Sequence, residues 1–209
     1  MKLPHKSLER TLLATGHGVI VGVDEVGMGC LAGPVVVCAA AFPASFYRKR
    51  WPQLANLRDS KMLQAHQRAT FAERLAVHPK IRHVIVSVQP ATIDRLNIYQ
   101  AARLGMRRAI ARLMRENPGN PVVLVDGPHP IAGIPWPQRA IVKGDRKVFA
   151  IAAASILAKV HRDALMGRLA KRYPGYGLEI HKGYATARHR AALAAVGPSP
   201  MHRRSFKLT

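Results

Sequence analysis

Four carboxylates in this chain share one kind of setting. Asp24 and Glu25 end the apolar run of "VGVDEVGMGCLAG" and precede glycines. Asp126 ends "VVLVD" ahead of Gly127, and Asp145 comes after "IVKG" and ahead of a long helical stretch. Sites in α/β sheets gather at the carboxyl ends of strands, so acids at three separate strand ends read as one converging cluster. Carboxylates held that close raise one another's pKa unless a cation sits among them. Oxygen ligands without a Cys or His set point to Mg2+ or Mn2+ rather than zinc. Two such ions roughly 4 Å apart activate a water and stabilise the leaving oxygen of an in-line displacement. The chemistry to expect is phosphodiester hydrolysis. Strand-end acids also cap turns and helices, and Asp145 is placed to cap the helix on its C-terminal side, so for any single one of the four, capping stands beside ligation.

Adjacent Asp24 and Glu25 set a geometric condition. Neighbours on a regular strand point to opposite faces, so both serve one site only if the strand ends there. Gly27 and Gly29 make such an ending easy. The Gly27, Gly29, Gly33 spacing misses the dinucleotide fingerprint by one residue, and the next segment, "PVVVCAA", is a strand rather than a helix.

The elements that must hold these residues are legible. Apolar runs predict strands at Val19–Asp24, Pro34–Phe42, His83–Gln89 and Val122–Asp126, with a short strand near Arg139–Val142 inside a proline-rich loop. Apolar spacings of three and four predict helices at Met62–Val77, Asn97–Glu116 and Val148–Tyr173. In the second, Tyr99, Ala102, Met106, Ile110 and Leu113 form the apolar face, and Arg103, Arg107, Arg108, Arg112 and Arg115 the opposite one. The order implies an α/β layer architecture with a mixed sheet.

The 209 residues carry a formal net charge of +22, from 33 Lys+Arg against 11 Asp+Glu, which favours a polyanionic partner such as nucleic acid. A basic surface around an acidic, metal-loaded pocket outlines a nuclease; a non-catalytic nucleic-acid-binding protein shares the basic surface and predicts binding without cleavage. At 48% hydrophobic, the chain reads as one domain with a substantial core. Cys30 and Cys38 lack metal-site spacing and read as buried apolar residues, which fits a reducing cytoplasm. The stretch "MKLPHKSLERTLLATG" has no uninterrupted apolar core of a leader, and no apolar run reaches the ~18 residues that span a bilayer, so a cytoplasmic protein with no membrane partner is expected.

Over nearly its whole length the chain resembles the ribonuclease HII (type 2 ribonuclease H) family. "GVDEVGMGCLAGPVVVCA" is similar to the family's first motif, usually GVDEAGRGPLAGPV, and "LRDSKML" to its L-x-DSK-x-L segment. "IDRLNIYQAARLGM", "VDG", "KGDRKVFAIAAASILAKVHRD", "YPGYGLEIHKGYATARHRAAL" and "GPSPMHRRSF" come next, in the family's order. The resemblance implies an RNase H-like fold with a central mixed five-stranded sheet flanked by helices and a helical C-terminal region. It divides residues 1–209 into a catalytic core at about 18–172 and a substrate-binding region at 173–209. It implies an endonuclease that cuts RNA in RNA–DNA hybrids and at ribonucleotides embedded in DNA, leaving a 3′-hydroxyl and a 5′-phosphate, for ribonucleotide removal and repair. Asp24, Glu25, Asp126 and Asp145 match its metal-binding carboxylates, with two Mg2+ or Mn2+ ions implied during catalysis. Gly27 and Gly29 match glycines whose backbone lies against the ribose 2′-hydroxyl, the group that distinguishes RNA from DNA. Tyr184 matches a tyrosine that stacks at the RNA–DNA junction; from burial tendencies alone it reads as a core aromatic. Lys61 is expected to reach a phosphate, with a solvated loop lysine as the alternative. Asp163, next to Arg162 within a helix, is expected to form a structural ion pair.

Met28 departs from the family's usual arginine, which contacts the nucleic-acid backbone. Met makes no charge-assisted hydrogen bond to phosphate. Weakened recognition of a lone ribonucleotide is therefore an alternative outcome. The Asn97–Glu116 arginines and "HRRSFK" are expected to supply backbone affinity, or simply to be solvated. "HRRSFKLT" lacks the pattern of sliding-clamp peptides, so no protein partner is assigned, and a monomer is expected.

Overall fold

The computed structural model describes residues 3–115 and 119–208. Its frame is β1 (Val19–Val26), which has neighbours of opposite sense on its two sides. It runs antiparallel to β2 (Val35–Pro43) and parallel to β4 (Pro121–Asp126). Outside these, β3 (Arg82–Val88) pairs antiparallel with β2, and β5 (Gln138–Ile141) parallel with β4, giving one mixed sheet in the order β3-β2-β1-β4-β5.

Both faces are covered. On one lie α1 (Ser7–Ala14), α3 (Ala65–Ala76) and α6 (Phe149–Arg172), packed on Ile20, Val36, Cys38, Ala40, Phe42, Val122 and Leu124. On the other lie α4 (Pro90–Leu96) and α5 (Ile98–Arg115), packed on Val19, Val21, Val23, Val35, Val37, Val123 and Val125. The alternation of these two sets is the strand period of two, and it explains why the strands are apolar on both sides. Gly22 sits mid-strand because α6 comes too close for a side chain: a Cβ there would fall 2.1 Å from the Ala150 carbonyl oxygen. The short helix α2 (Ala44–Tyr47) comes directly after β2. A third apolar cluster joins α6, α7 (Leu178–His181) and α8 (Ala187–Val196) to Leu31 and Ala32.

Several expected elements need correction. The Met62–Val77 helix is two pieces, a 3-10 turn at Ser60–Met62 and α3 from Ala65, because the Gln67 side chain accepts the Gln64 N–H and starts the helix there. The Val148 start of the long helix moves to Phe149, and the short strand shifts to Gln138–Ile141. The Asn97 start moves to Ile98, since Asn97 takes a positive φ of 67° between α4 and α5; Glu116 lies outside the described residues. Tyr99 is 44% exposed and stacks with Arg103 instead of joining the apolar face. β1 does not end at Asp24: it pairs with β2 through Val26, while its pairing with β4 stops at Val23 and Val125. Among the described residues no helix is long and apolar enough to cross a membrane.

The start of α6 is secured from outside. Its N-cap, Val148, offers no side-chain acceptor, and the alternative role of Asp145 as its cap is not realised. Fully buried Glu9 of α1 instead accepts the Ala150 N–H at 3.2 Å, and the His5 N–H donates to the Lys147 carbonyl at 3.1 Å. Burial pushes the Glu9 carboxyl up to about 7. The folded state then holds a proton that the unfolded state releases near 4.5, so stability falls as pH rises through 4.5 to 7. Glu9→Gln keeps the acceptor and removes this dependence. At pH 8 the variant is expected to gain on the wild type by on the order of 3 kcal/mol relative to pH 5, as measured by urea unfolding at the two pH values.

Candidate active site

The parting of β1 and β4 makes a site from residues on opposite sheet faces. Asp24 continues the Ile20 and Gly22 row toward α6 and is 4% exposed, while Glu25 continues the Val21 and Val23 row toward α5. With the two strands unpaired beyond Val23 and Val125, Asp126 stands in the gap, near enough to raise the pKa of both. The Asp126 Oδ1 accepts the Gly144 N–H at 2.6 Å, which draws the turn Gly144–Arg146, and with it Asp145, to the same edge. Neighbouring Asp24 and Glu25 therefore both reach the site without the strand ending.

The electrostatics are those of crowded anions. Burial, then Glu25 and Asp126, push Asp24 well above the carboxylate range. Burial and Asp126 push Glu25 up to about 7, and burial with Asp59 and Asp126 raises Asp145. Lys61 opposes this at Glu25 and Asp145, so it belongs to the site's electrostatics although its side chain is exposed. Among the described residues, no three His, Cys, Asp or Glu side chains already stand at ion-ligating geometry. The four carboxylates repel one another without closing around a point. A hard divalent cation fits this all-oxygen, mutually destabilised donor set.

Three residues outside the expected set support it. Asp59 is 2% exposed; its carboxylate accepts the Lys61 N–H at 2.9 Å and the Arg146 Nε–H at 3.1 Å, pinning the "DSK" turn to the Asp145 turn. The Ser60 and Ser155 hydroxyls meet at 3.0 Å, which ties the same turn to α6, and Ser155 lies close enough to Asp24 to favour its charged form. The "DSK" triplet is the available sequence signal for Asp59.

The glycine loop is held by two fully buried arginines. Arg203 donates to the carbonyls of Gly27 at 2.7 Å, Met28 at 2.9 Å and Gly33 at 3.0 Å. Arg162 donates to those of Pro34 and Ala32 at 3.1 Å and of Lys182 at 2.9 Å. Gly27 has a φ of +94°, and a Cβ on it would lie 2.3 Å from Arg162 Nε. Gly29 is exposed, with no atom within 4 Å of such a Cβ. Arg203 was expected to serve as a surface cation and is instead buried, while Arg204 and Lys207 are exposed.

Tyr184 lies beside this loop through a β-bridge with Cys30. It is 40% exposed, which corrects the core reading, and Lys159 stands 6.0 Å from its ring centre. Cys30 and Cys38 are buried and unpaired with each other. Half-buried Met28 packs on the α5-side core and shares a cavity of about 90 Å³ with Glu25, Tyr99, Arg103 and Asp126. Asp163 pairs with Lys159 at 2.8 Å and Arg68 at 4.0 Å rather than with Arg162.

A five-stranded mixed sheet with helices on both faces, its acids gathered where β1 and β4 part, places the molecule in the ribonuclease H-like class of α/β folds. The ribonuclease H2 of Pyrococcus horikoshii has the same fold, with a TM-score of 0.74 at 24% identity over 91% of this chain and 94% of that one. A ribonuclease HII from Archaeoglobus fulgidus, solved in a complex with PCNA, matches with a TM-score of 0.69 at 27% identity, over 91% and 96% of the two chains. The sequence model of ribonuclease HII matches residues 21–209, and the ribonuclease HII of Chlorobium phaeobacteroides is 45% identical over 91% of this chain and 90% of its own. The chain belongs to the ribonuclease HII family and is an endoribonuclease.

The two loop glycines separate by their surroundings. Gly27→Ala is expected to lose at least about 3 kcal/mol, as positive-φ strain adds to displacement of a buried guanidinium. Gly29→Ala is expected to stay within about 0.5 kcal/mol of the wild type. Urea unfolding curves of both variants check this.

Proposed function

We propose that this ribonuclease H cuts RNA–DNA hybrids and also duplex DNA at embedded ribonucleotides, leaving a 3′-hydroxyl and a 5′-phosphate. The observation that carries the reading is the crowding of Asp24, Glu25, Asp126 and Asp145 at one sheet edge, where Asp126 is close enough to disfavour the charged forms of the other three. In this reading the four hold divalent metal, Mg2+ or Mn2+. When bound, the metal supplies an activated water and Lewis acidity toward the leaving oxygen.

The chain's own residues do the rest. Asp24, the most buried of the four, is fixed by the Glu25 N–H that its Oδ1 accepts at 2.7 Å. Lys61, already close to Glu25 and Asp145, is placed to take a backbone phosphate as it nears the carboxylates. The backbone of Gly27–Gly29 meets the ribose, since a residue without a side chain allows the closest approach. Tyr184 offers its exposed ring to the sugar at the junction. The exposed Arg107, Arg108, Arg112 and Arg115 add non-specific affinity.

Asp24→Asn is expected to bind an RNA–DNA hybrid as the wild type does and to cut it at least about a hundredfold more slowly. Gel shift and a labelled-strand cleavage assay with Mg2+ or Mn2+ measure the two. Wild-type turnover in the variant contradicts the role given to Asp24.

A second reading is favoured by Met28, whose side chain packs on the α5-side core and carries no charge. The protein would then bind hybrids well and a lone ribonucleotide poorly. Met28→Arg is expected to raise kcat/KM on a DNA duplex with one ribonucleotide at moderate salt, and to steepen the salt dependence of binding by about one counterion. An unchanged kcat/KM rejects this reading.

A further inference from the structure

His202 and Arg203 are consecutive and buried, and they reach two separate parts of the surface assigned above to the ribose. Arg203 donates to the carbonyls of Gly27 and Met28. His202 reaches Tyr184 through one further imidazole: its Nε2 lies 3.0 Å from His189 Nε2, and His189 Nδ1 lies 2.9 Å from the Tyr184 carbonyl.

The ends of this path are backbone groups of fixed polarity, and they set every proton between them. The Ser199 N–H donates to His202 Nδ1 at 3.0 Å, so the His202 proton is on Nε2. His189 Nε2 accepts that proton's hydrogen bond, which leaves the His189 proton on Nδ1, donated to Tyr184. A second proton on either ring would set two donors against each other. His181 stacks on His189 with ring centres 4.3 Å apart and accepts the Gly183 N–H on Nδ1, which closes the packing beneath the relay. Burial and the neighbouring imidazoles push His202 down to about 4.

We propose that His202 and Arg203 form one positioning unit for ribose recognition, Arg203 acting through the carbonyls of Gly27 and Met28, and His202 through the relay to Tyr184. The unit keeps the glycine loop and the tyrosine in register with each other. The proposal rests on the reading that Gly27–Gly29 and Tyr184 meet the ribonucleotide. Neither residue is catalytic. A lone ribonucleotide in DNA presents one 2′-hydroxyl, so a single register brings loop, tyrosine and carboxylates onto it. A hybrid presents a 2′-hydroxyl at every RNA position and tolerates a displaced loop. Loss of the unit therefore appears as lost selectivity rather than lost chemistry.

The test is the ratio of kcat/KM on a single-ribonucleotide duplex to that on an RNA–DNA hybrid, because the shared carboxylate chemistry cancels. His202→Leu fills the space without a donor, whereas His202→Gln restores an N–H toward His189. The ratio is expected to fall about tenfold in His202→Leu and to return to within about threefold of the wild type in His202→Gln. Equal losses on both substrates, or no loss, overturn the proposal. Tyr184→Ala tests the underlying reading: an unchanged ratio there removes Tyr184 from ribose recognition, whereas a changed ratio there with unaffected His202 variants removes only the positioning unit. Imidazole 15N spectra of the wild-type protein are expected to show His202 as the Nε2–H tautomer and His189 as the Nδ1–H tautomer. Finding both rings in one tautomer overturns the relay even if the leucine variant does not fold.

Discussion

The site depends on two guanidinium groups buried among carbonyl oxygens. Arg162 and Arg203 are fully shielded from water, and among the described residues neither has a carboxylate within salt-bridge distance. Six carbonyls take the place of a counter-ion. Desolvating two cations costs several kcal/mol each, and charge-assisted hydrogen bonds to well-placed dipoles offset it. The arrangement survives only if those carbonyls point inward. A trans peptide carries its N–H opposite its C=O, so turning the Gly27 and Met28 carbonyls toward Arg203 turns the Met28 and Gly29 N–H groups away from it. Loop conformation and buried charge are thus one constraint.

The carboxylate edge obeys the opposite logic. There, like charges are brought together and left short of compensation, with Lys61 as a partial counterweight and Arg146 engaged by Asp59. The sheet tolerates this because the crowding falls at its open end, where β1 and β4 have stopped pairing. Rigidity behind that edge comes from Gly22 seated against Ala150 and from Glu9 fixing the first turn of α6.

The strands and the four acids were legible because both have local signatures: continuous apolar runs for strands covered on two faces, and acids where those runs stop. The end of β1 was misread because its two neighbours let go at different residues, β4 at Val23 and β2 only at Val26. No one-dimensional pattern records which partner ends first. Asp59, Glu9, Arg162 and Arg203 stayed hidden for a related reason. A charged residue type signals solvent on average, and each of these four is buried against a partner 87 to 176 positions away. Tyr184 shows the converse: an aromatic with the composition of a core residue stands exposed because Gly183 is held against Ala32, where a Cβ would meet the carbonyl oxygen at 2.5 Å.

The 176-residue separation between Gly27 and Arg203 also orders events during synthesis. A chain made from its N-terminus emerges with Asp24, Glu25, Asp126 and Asp145 before Arg203 exists. Strand pairing and the docking of α6 can assemble the acidic edge in that interval. The carbonyls of Gly27, Met28 and Gly33 must wait, hydrated, for their donor. The nascent protein can thus gather its charge cluster before the glycine loop beside it is locked, and the contacts that fix that loop are among the last to form.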